Sequence, residues 1–177
     1  MTTGQETLVG TIEVLRDASA RDPLNAGAHH DLGVALEAAA LHVDAESAYR
    51  MALEVDPERD RTHAYLSLTL VALGQQGEAI AEADAEPSPI FRLWALAIIH
   101  EARGDRVESD EWLERLIEEY DEVAPYQIAE VCARRDEAED AFEWLERAYT
   151  QRDGDLIGIG TNPNFVRSTM IHGGPRS

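Results

Sequence analysis

Six histidines and one cysteine are the side chains of this 177-residue sequence best able to hold a metal or to act as base or nucleophile. His29 and His63 lie 34 residues apart, with His30 beside the first and His100 further on, inside an apolar pattern. Zinc needs three or four converging ligands, so this pair would have to recruit carboxylates from elsewhere, and no bound metal is expected. Cys132 stands alone in an apolar helical pattern. That excludes an internal disulfide and a cysteine metal cluster, and it reads as a small buried hydrophobe. Carboxylates are abundant, with 35 Asp and Glu, but their pairs fall on the solvent side of helical patterns. The sequence has no phosphate-binding glycine loop, no Gly-x-Ser-x-Gly turn and no His-Glu-x-x-His. The Gly-Ile-Gly at 158–160 lacks the spacing of a dinucleotide loop. A non-enzyme without cofactor is the expectation.

The elements that would position any site are helices. Hydrophobic residues make up 44% of the chain and charged ones 28%, enough to build a core. Ala, Leu, Glu and Arg, all strong helix formers, dominate. Net charge is −20, and all 15 basic residues are Arg. Such a surface repels phosphate backbones and anionic lipid, which argues against nucleic acid and membranes as partners. No apolar run approaches a membrane span. The opening "MTTGQETLVG" has no basic start or apolar signal core, so a cytoplasmic protein is expected.

The helical patterns repeat. Leu32-Gly33 recurs as Leu66-Ser67, Leu96-Ala97 and Ile128-Ala129, at steps of 34, 30 and 32 residues. Ala45 recurs at the same steps as Ala79, Ser109 and Ala141. The register continues through Tyr49, Ala83, Leu113 and Leu145, and through Ala52, Glu86, Leu116 and Ala148. "EWLER" occurs at both 111–115 and 143–147, again 32 residues apart. Stepping back 34 residues from Ala45, Tyr49, Ala52 and Pro57 reaches Thr11, Leu15, Ala18 and Pro23, the second helix of a partial unit. Small residues recur where two antiparallel helices must approach closely. Breaks fall at "LHVD", "GQQG", "RGDR" and "RRDE", where Gly74, Gly77 and Gly104 suit left-handed helix ends. Asp56-Pro57 closes a unit, because Pro cannot continue a helix. Pro87 and Pro89 should stop one second helix early, and Glu86 stands where a small apolar residue belongs.

A helical hairpin of about 34 residues with this small–large pattern resembles the tetratricopeptide repeat. The resemblance covers roughly 7–155. It implies an all-α, right-handed solenoid: a disordered N-terminus over 1–6, a half unit at 7–25, and units at about 26–59, 60–89, 90–121 and 122–155. A C-terminal cap and flexible tail would take 156–177. The last unit is similar to the terminal repeat of prokaryotic tetratricopeptide signalling and regulatory proteins. That match runs through Glu143–Tyr149, Arg152-Asp153, Leu156, Asn162-Pro163, Phe165 and Arg167-Ser168, with Asn162 in place of the usual Asp. In those relatives a catalytic or DNA-binding domain lies elsewhere in the chain, and none is expected within these residues.

Repeat arrays offer a concave surface lined by the first helix of each unit. After the inter-helix slots are filled, a second apolar stripe remains. It runs through Val34; Ala64, Leu68 and Val71; Phe91, Trp94 and Ile98; and Tyr126. His30, Glu37, Glu101, Glu130 and Arg134 edge it. The stripe and His30 are the candidate partner-binding residues. They predict a protein-interaction module or scaffold that holds an apolar or amphipathic, basic-flanked protein segment. A homodimer through the same stripe is the second reading, and a metal-dependent enzyme using His63 the third. Burial of the stripe by tight curvature, or by the chain's own tail, is the competing structural outcome. Repeats that capture acidic chaperone tails use Lys, Arg and Asn on these first helices. The equivalent positions here are apolar or acidic, which disfavours that use.

Overall fold

The computed structural model describes residues 3–154, with side chains from residue 6 on. The cap and tail expected at 156–177 lie outside the described residues. Among the described residues there are nine α-helices and no strand. The chain divides into two compact units, 1–95 and 96–177. Each is taken by itself.

The first unit holds α1 (Thr3–Arg21), α2 (Ala26–Ala38), α3 (His42–Val55), α4 (Thr62–Ala72), α5 (Gln76–Ala85) and the start of α6 (Pro89–Arg103). Helix α1 begins at Thr3, inside the stretch expected to be disordered. Helices α2 and α3 form one close pair, and α4 and α5 another; α1 packs on α2, and α3 on α4. The small residues explain the close approach. A Cβ on Gly33 would lie 2.5 Å from the Tyr49 ring, so only glycine admits that ring. Ala45, Ser67 and Ala79 are fully buried, as are Tyr49, Ala52 and Ala83 in the neighbouring slots. Their counterparts on α1 differ. Thr11 and Ala18 are exposed, because no helix of the described chain pairs with that side of α1.

The second unit holds the rest of α6, then α7 (Arg106–Tyr120), α8 (Pro125–Arg134) and α9 (Ala138–Gln151). Ser109 of α7 donates to the carbonyl of Ala97 at 2.9 Å, joining two small-residue slots. Helix α8 opens with proline at its first turn, where the missing N–H costs nothing, and it pairs with α9. Arg135 is almost wholly buried between Asp110 and Glu137.

The turn inside every pair is built the same way. Ala40, Gly74, Gly104 and Asp136 all have positive φ, between 57° and 78°. In each, the next residue donates back five positions: Leu41 to Leu36 at 2.9 Å, Gln75 to Leu70 at 2.8 Å, Asp105 to His100 at 2.9 Å and Glu137 to Cys132 at 3.0 Å. This is a left-handed C-terminal cap repeated four times. Two of the four sites carry glycine, as the breaks suggested. Gly77 is a correction: it lies within α5 and needs no left-handed conformation.

Helix α5 ends at Ala85, ahead of Pro87, and Glu86 explains how the chain turns there. Its carboxylate is fully buried. It accepts from the backbone N–H groups of Arg61 (3.0 Å), Ala64 (3.0 Å) and Ser88 (3.1 Å). Arg61 is the N-cap of α4 and Ala64 lies in its first turn, positions whose N–H groups have no intrahelical acceptor. A buried carboxylate at this helix N-terminus therefore replaces the apolar residue, Ala52, Leu116 or Ala148, of the other units.

Candidate binding surface

The chemistry-bearing residues serve the fold. His29 Nε2 lies 3.0 Å from the carbonyl oxygen of Pro23, and His63 Nε2 lies 3.1 Å from that of Pro57. The two histidines are one repeat apart and so are the two prolines. Each ring ties down the residue that closes the preceding segment. His63 also meets Glu82 through Nδ1 at 2.7 Å. Among the described residues no group of three His, Cys, Asp or Glu could hold a metal ion. Burial pushes the Cys132 thiol up to about 12, so at neutral pH it is protonated and a poor nucleophile.

In the first unit an aromatic cluster joins four helices. His30 of α2 packs against Tyr49 of α3 at 5.7 Å and Tyr65 of α4 at 5.6 Å between ring centroids. Tyr65 meets Trp94 of α6 at 5.4 Å, and Phe91 stands edge-on to Trp94 at 5.9 Å. Arg61 lies over the Phe91 ring, 4.5 Å from its centroid. His30 Nδ1 is 3.0 Å from Thr62 Oγ1. Burial, aided by Arg59, lowers the His30 pKa to about 4 and keeps the ring neutral.

The depth of this cluster corrects the expected stripe. Trp94 is only 2% exposed, and His30, Ala64 and Phe91 are buried with it. Ala64 is fully enclosed, and its N–H is one of the three that donate to the Glu86 carboxylate. In the second unit Ile98 and Tyr126 are also buried. Helical spacing shows which side of a helix a residue faces, but not how deeply neighbouring rings cover it. Three of the nine remain accessible, all in the first unit. Val34 on α2 is 38% exposed, and Leu68 and Val71 on α4 are half-buried. Asp31, three residues before Val34 on α2, is exposed. The expected acidic rim is partly neutralised locally, Glu101 pairing with Arg106 at 3.3 Å and Glu130 with Arg134 at 3.1 Å, while Glu37 lies 2.9 Å from His42 Nδ1.

Tyr49 and Tyr65, central to the cluster, are not among the candidate partner-binding residues of the sequence. Tyr49 looked like an inter-helix slot only. Tyr65 follows Ala64 directly, so the stripe's spacing steps over it. The available signal was aromatic type at neighbouring positions of one repeat register: His30, Tyr65 and Trp94.

No protein-family model and no curated protein matches the sequence. Among solved structures the chain is similar to the crystal structure of MamA, with 15% identity and a TM-score of 0.57 over 88% of this chain and 98% of that one. The likeness shows the fold class: an all-α solenoid of antiparallel helix pairs of the tetratricopeptide kind.

Proposed function

We propose that this chain is a non-catalytic interaction module whose partner is a protein segment, apolar or amphipathic and flanked by basic residues. The segment lies against α2 and α4 of the first unit, over Val34, Leu68 and Val71. One observation carries the reading: these three apolar side chains stay accessible on α2 and α4, two of the helices that also supply the buried aromatic cluster, in a chain of net charge −20. Apolar area supplies affinity, and the acidic surroundings select basic flanks and speed their encounter. Support comes also from the fold class, from the inert Cys132, and from histidines already engaged by prolines and carboxylates. Among the described residues no helix is long and apolar enough to cross a membrane.

The test is a titration with labelled amphipathic helical peptides that differ only in flanking charge. Basic-flanked peptides bind, and binding weakens as salt rises. Leu68→Asp abolishes it without changing helix content. Equal binding of acidic-flanked peptides, or undiminished binding by Leu68→Asp, refutes the proposal. If the chain instead dimerises and Leu68→Asp renders it monomeric, the homo-oligomer reading takes its place.

A further inference from the structure

On α3 and on α7 one face is covered by the helix pair that follows. On α3 that face carries Tyr49, fully buried, with its ring 6.2 Å from Tyr65 of α4. On α7 it carries Arg106, Asp110 and Leu113. Arg106 pairs with Glu137 and Asp110 with Arg135, both at the turn between α8 and α9, and Leu113 is buried. The same slots on α9, 32 residues on, hold Ala138, Phe142 and Leu145, with Tyr149 one turn further. Where α7 has a cation and an anion for the next turn, α9 has an alanine and a phenylalanine. Leu145 is only half-buried, Phe142 is 47% exposed and Tyr149 is 77% exposed. At about 100° per residue these four side chains form one stripe about 60° wide. One edge of the stripe is closed, since Ala141 and Ala148 are buried and α9 packs on α8. The other edge carries Glu139, Glu143 and Glu146, all exposed and none in an ion pair among the described residues.

We infer that this face of α9 docks an amphipathic helix of a partner protein, one that bears a row of basic residues along one edge of its apolar stripe. The occupant is a helix because helices cover the equivalent faces, α4 on α3 and α8 on α7. Its charge follows from the three glutamates, which run along about 10 Å of α9 with no cation of their own. The Phe142 and Tyr149 rings supply affinity when covered, and the glutamate row fixes the register and direction of the incoming helix. A second copy fits poorly: an antiparallel pair of α9 helices would set the two glutamate rows side by side, where like charges repel. This surface lies in the second unit and goes beyond partner binding over Val34, Leu68 and Val71. A segment that is basic only at its ends leaves the glutamate row unmatched.

The test uses the full chain and a labelled, stapled helical peptide with an apolar stripe, lysines along one edge and neutral ends, beside a twin with glutamates for lysines. In fluorescence anisotropy the lysine peptide should bind about tenfold tighter than its twin, and more weakly as salt rises. Glu139→Gln/Glu143→Gln/Glu146→Gln should weaken it about tenfold, and Phe142→Ser/Tyr149→Ser at least as much, while Leu68→Asp leaves it unchanged. A photo-reactive residue in the peptide's stripe gives a readout on the unaltered chain: crosslinks should fall within 138–149. Equal binding of the glutamate twin, no binding of either peptide, or crosslinks only elsewhere overturns the proposal. Binding lost in Leu68→Asp but kept in Phe142→Ser/Tyr149→Ser also overturns it, and leaves the surface of the first unit standing. A dimer of the chain that Phe142→Ser/Tyr149→Ser breaks would give the face to a second copy and overturn it as well.

Discussion

Replacing Glu86 by alanine separates a reading of the repeat pattern from a reading of the structure. The pattern favours a small residue at that slot, and on that basis Glu86→Ala should be neutral or stabilising. In the structure the carboxylate serves three backbone N–H groups, at 3.0, 3.0 and 3.1 Å. One of them, on Ala64, is fully enclosed. Each lost charge-assisted bond costs roughly 1.5 kcal/mol, and a buried N–H left orphaned adds to that. Relief from holding a desolvated carboxylate offsets part of the loss. The net is about 3 kcal/mol, or a fall in melting temperature of about 6–12 °C for a chain of this size. Glu86→Gln keeps one acceptor oxygen but turns an NH₂ group toward an N–H donor, so it should fall between wild type and alanine. Urea unfolding followed by circular dichroism measures both variants. An alanine variant within about 0.5 kcal/mol of wild type would show that α4 does not depend on this carboxylate.

The other predictions draw on different parts of the first unit and on Cys132. Gly33→Ala should destabilise by about 2 kcal/mol, because the added methyl would sit 2.5–2.7 Å from three Tyr49 ring carbons; Tyr49→Leu in the same chain should restore part of the loss. Ala40→Gly should stabilise by about 1 kcal/mol, since Ala40 holds a φ of 57° that glycine adopts without a Cβ clash. A neutral His30 adds stability that is complete above pH 6.5 and is lost as pH falls toward 4, because only the unfolded ring gains a proton in that window. Wild type should therefore lose more stability than His30→Gln between those pH values, and parallel pH profiles would count against it. Cys132 should resist Ellman's reagent at pH 8 until the chain unfolds, as its thiol pKa is raised to about 12.

Much of the fold was legible because helix-pair packing constrains residue types at fixed intervals. Gly33, Ser67 and Ala97 had to be small to admit a neighbouring helix. Gly74 and Gly104 marked left-handed turns that Ala40 and Asp136 also make, against their steric preference. Asp56-Pro57 and Pro87 marked helix ends correctly. What stayed hidden depends on depth and on long-range partners. Trp94 keeps the helical spacing of an exposed stripe, yet Tyr65 and Phe91 enclose it. Glu86 looked like a flaw in the pattern because its partners lie 22–25 residues away in sequence. His29 and His63 suggested a metal pair because they repeat, but so do the prolines whose carbonyls they hold.

Methyl resonances provide the most direct test of the binding surface. Titrating a basic-flanked amphipathic peptide into the full chain should shift Val34, Leu68 and Val71 first and most, with saturation at one peptide per chain. Shifts confined to other methyls, with those three unmoved at saturation, would contradict a binding role for α2 and α4.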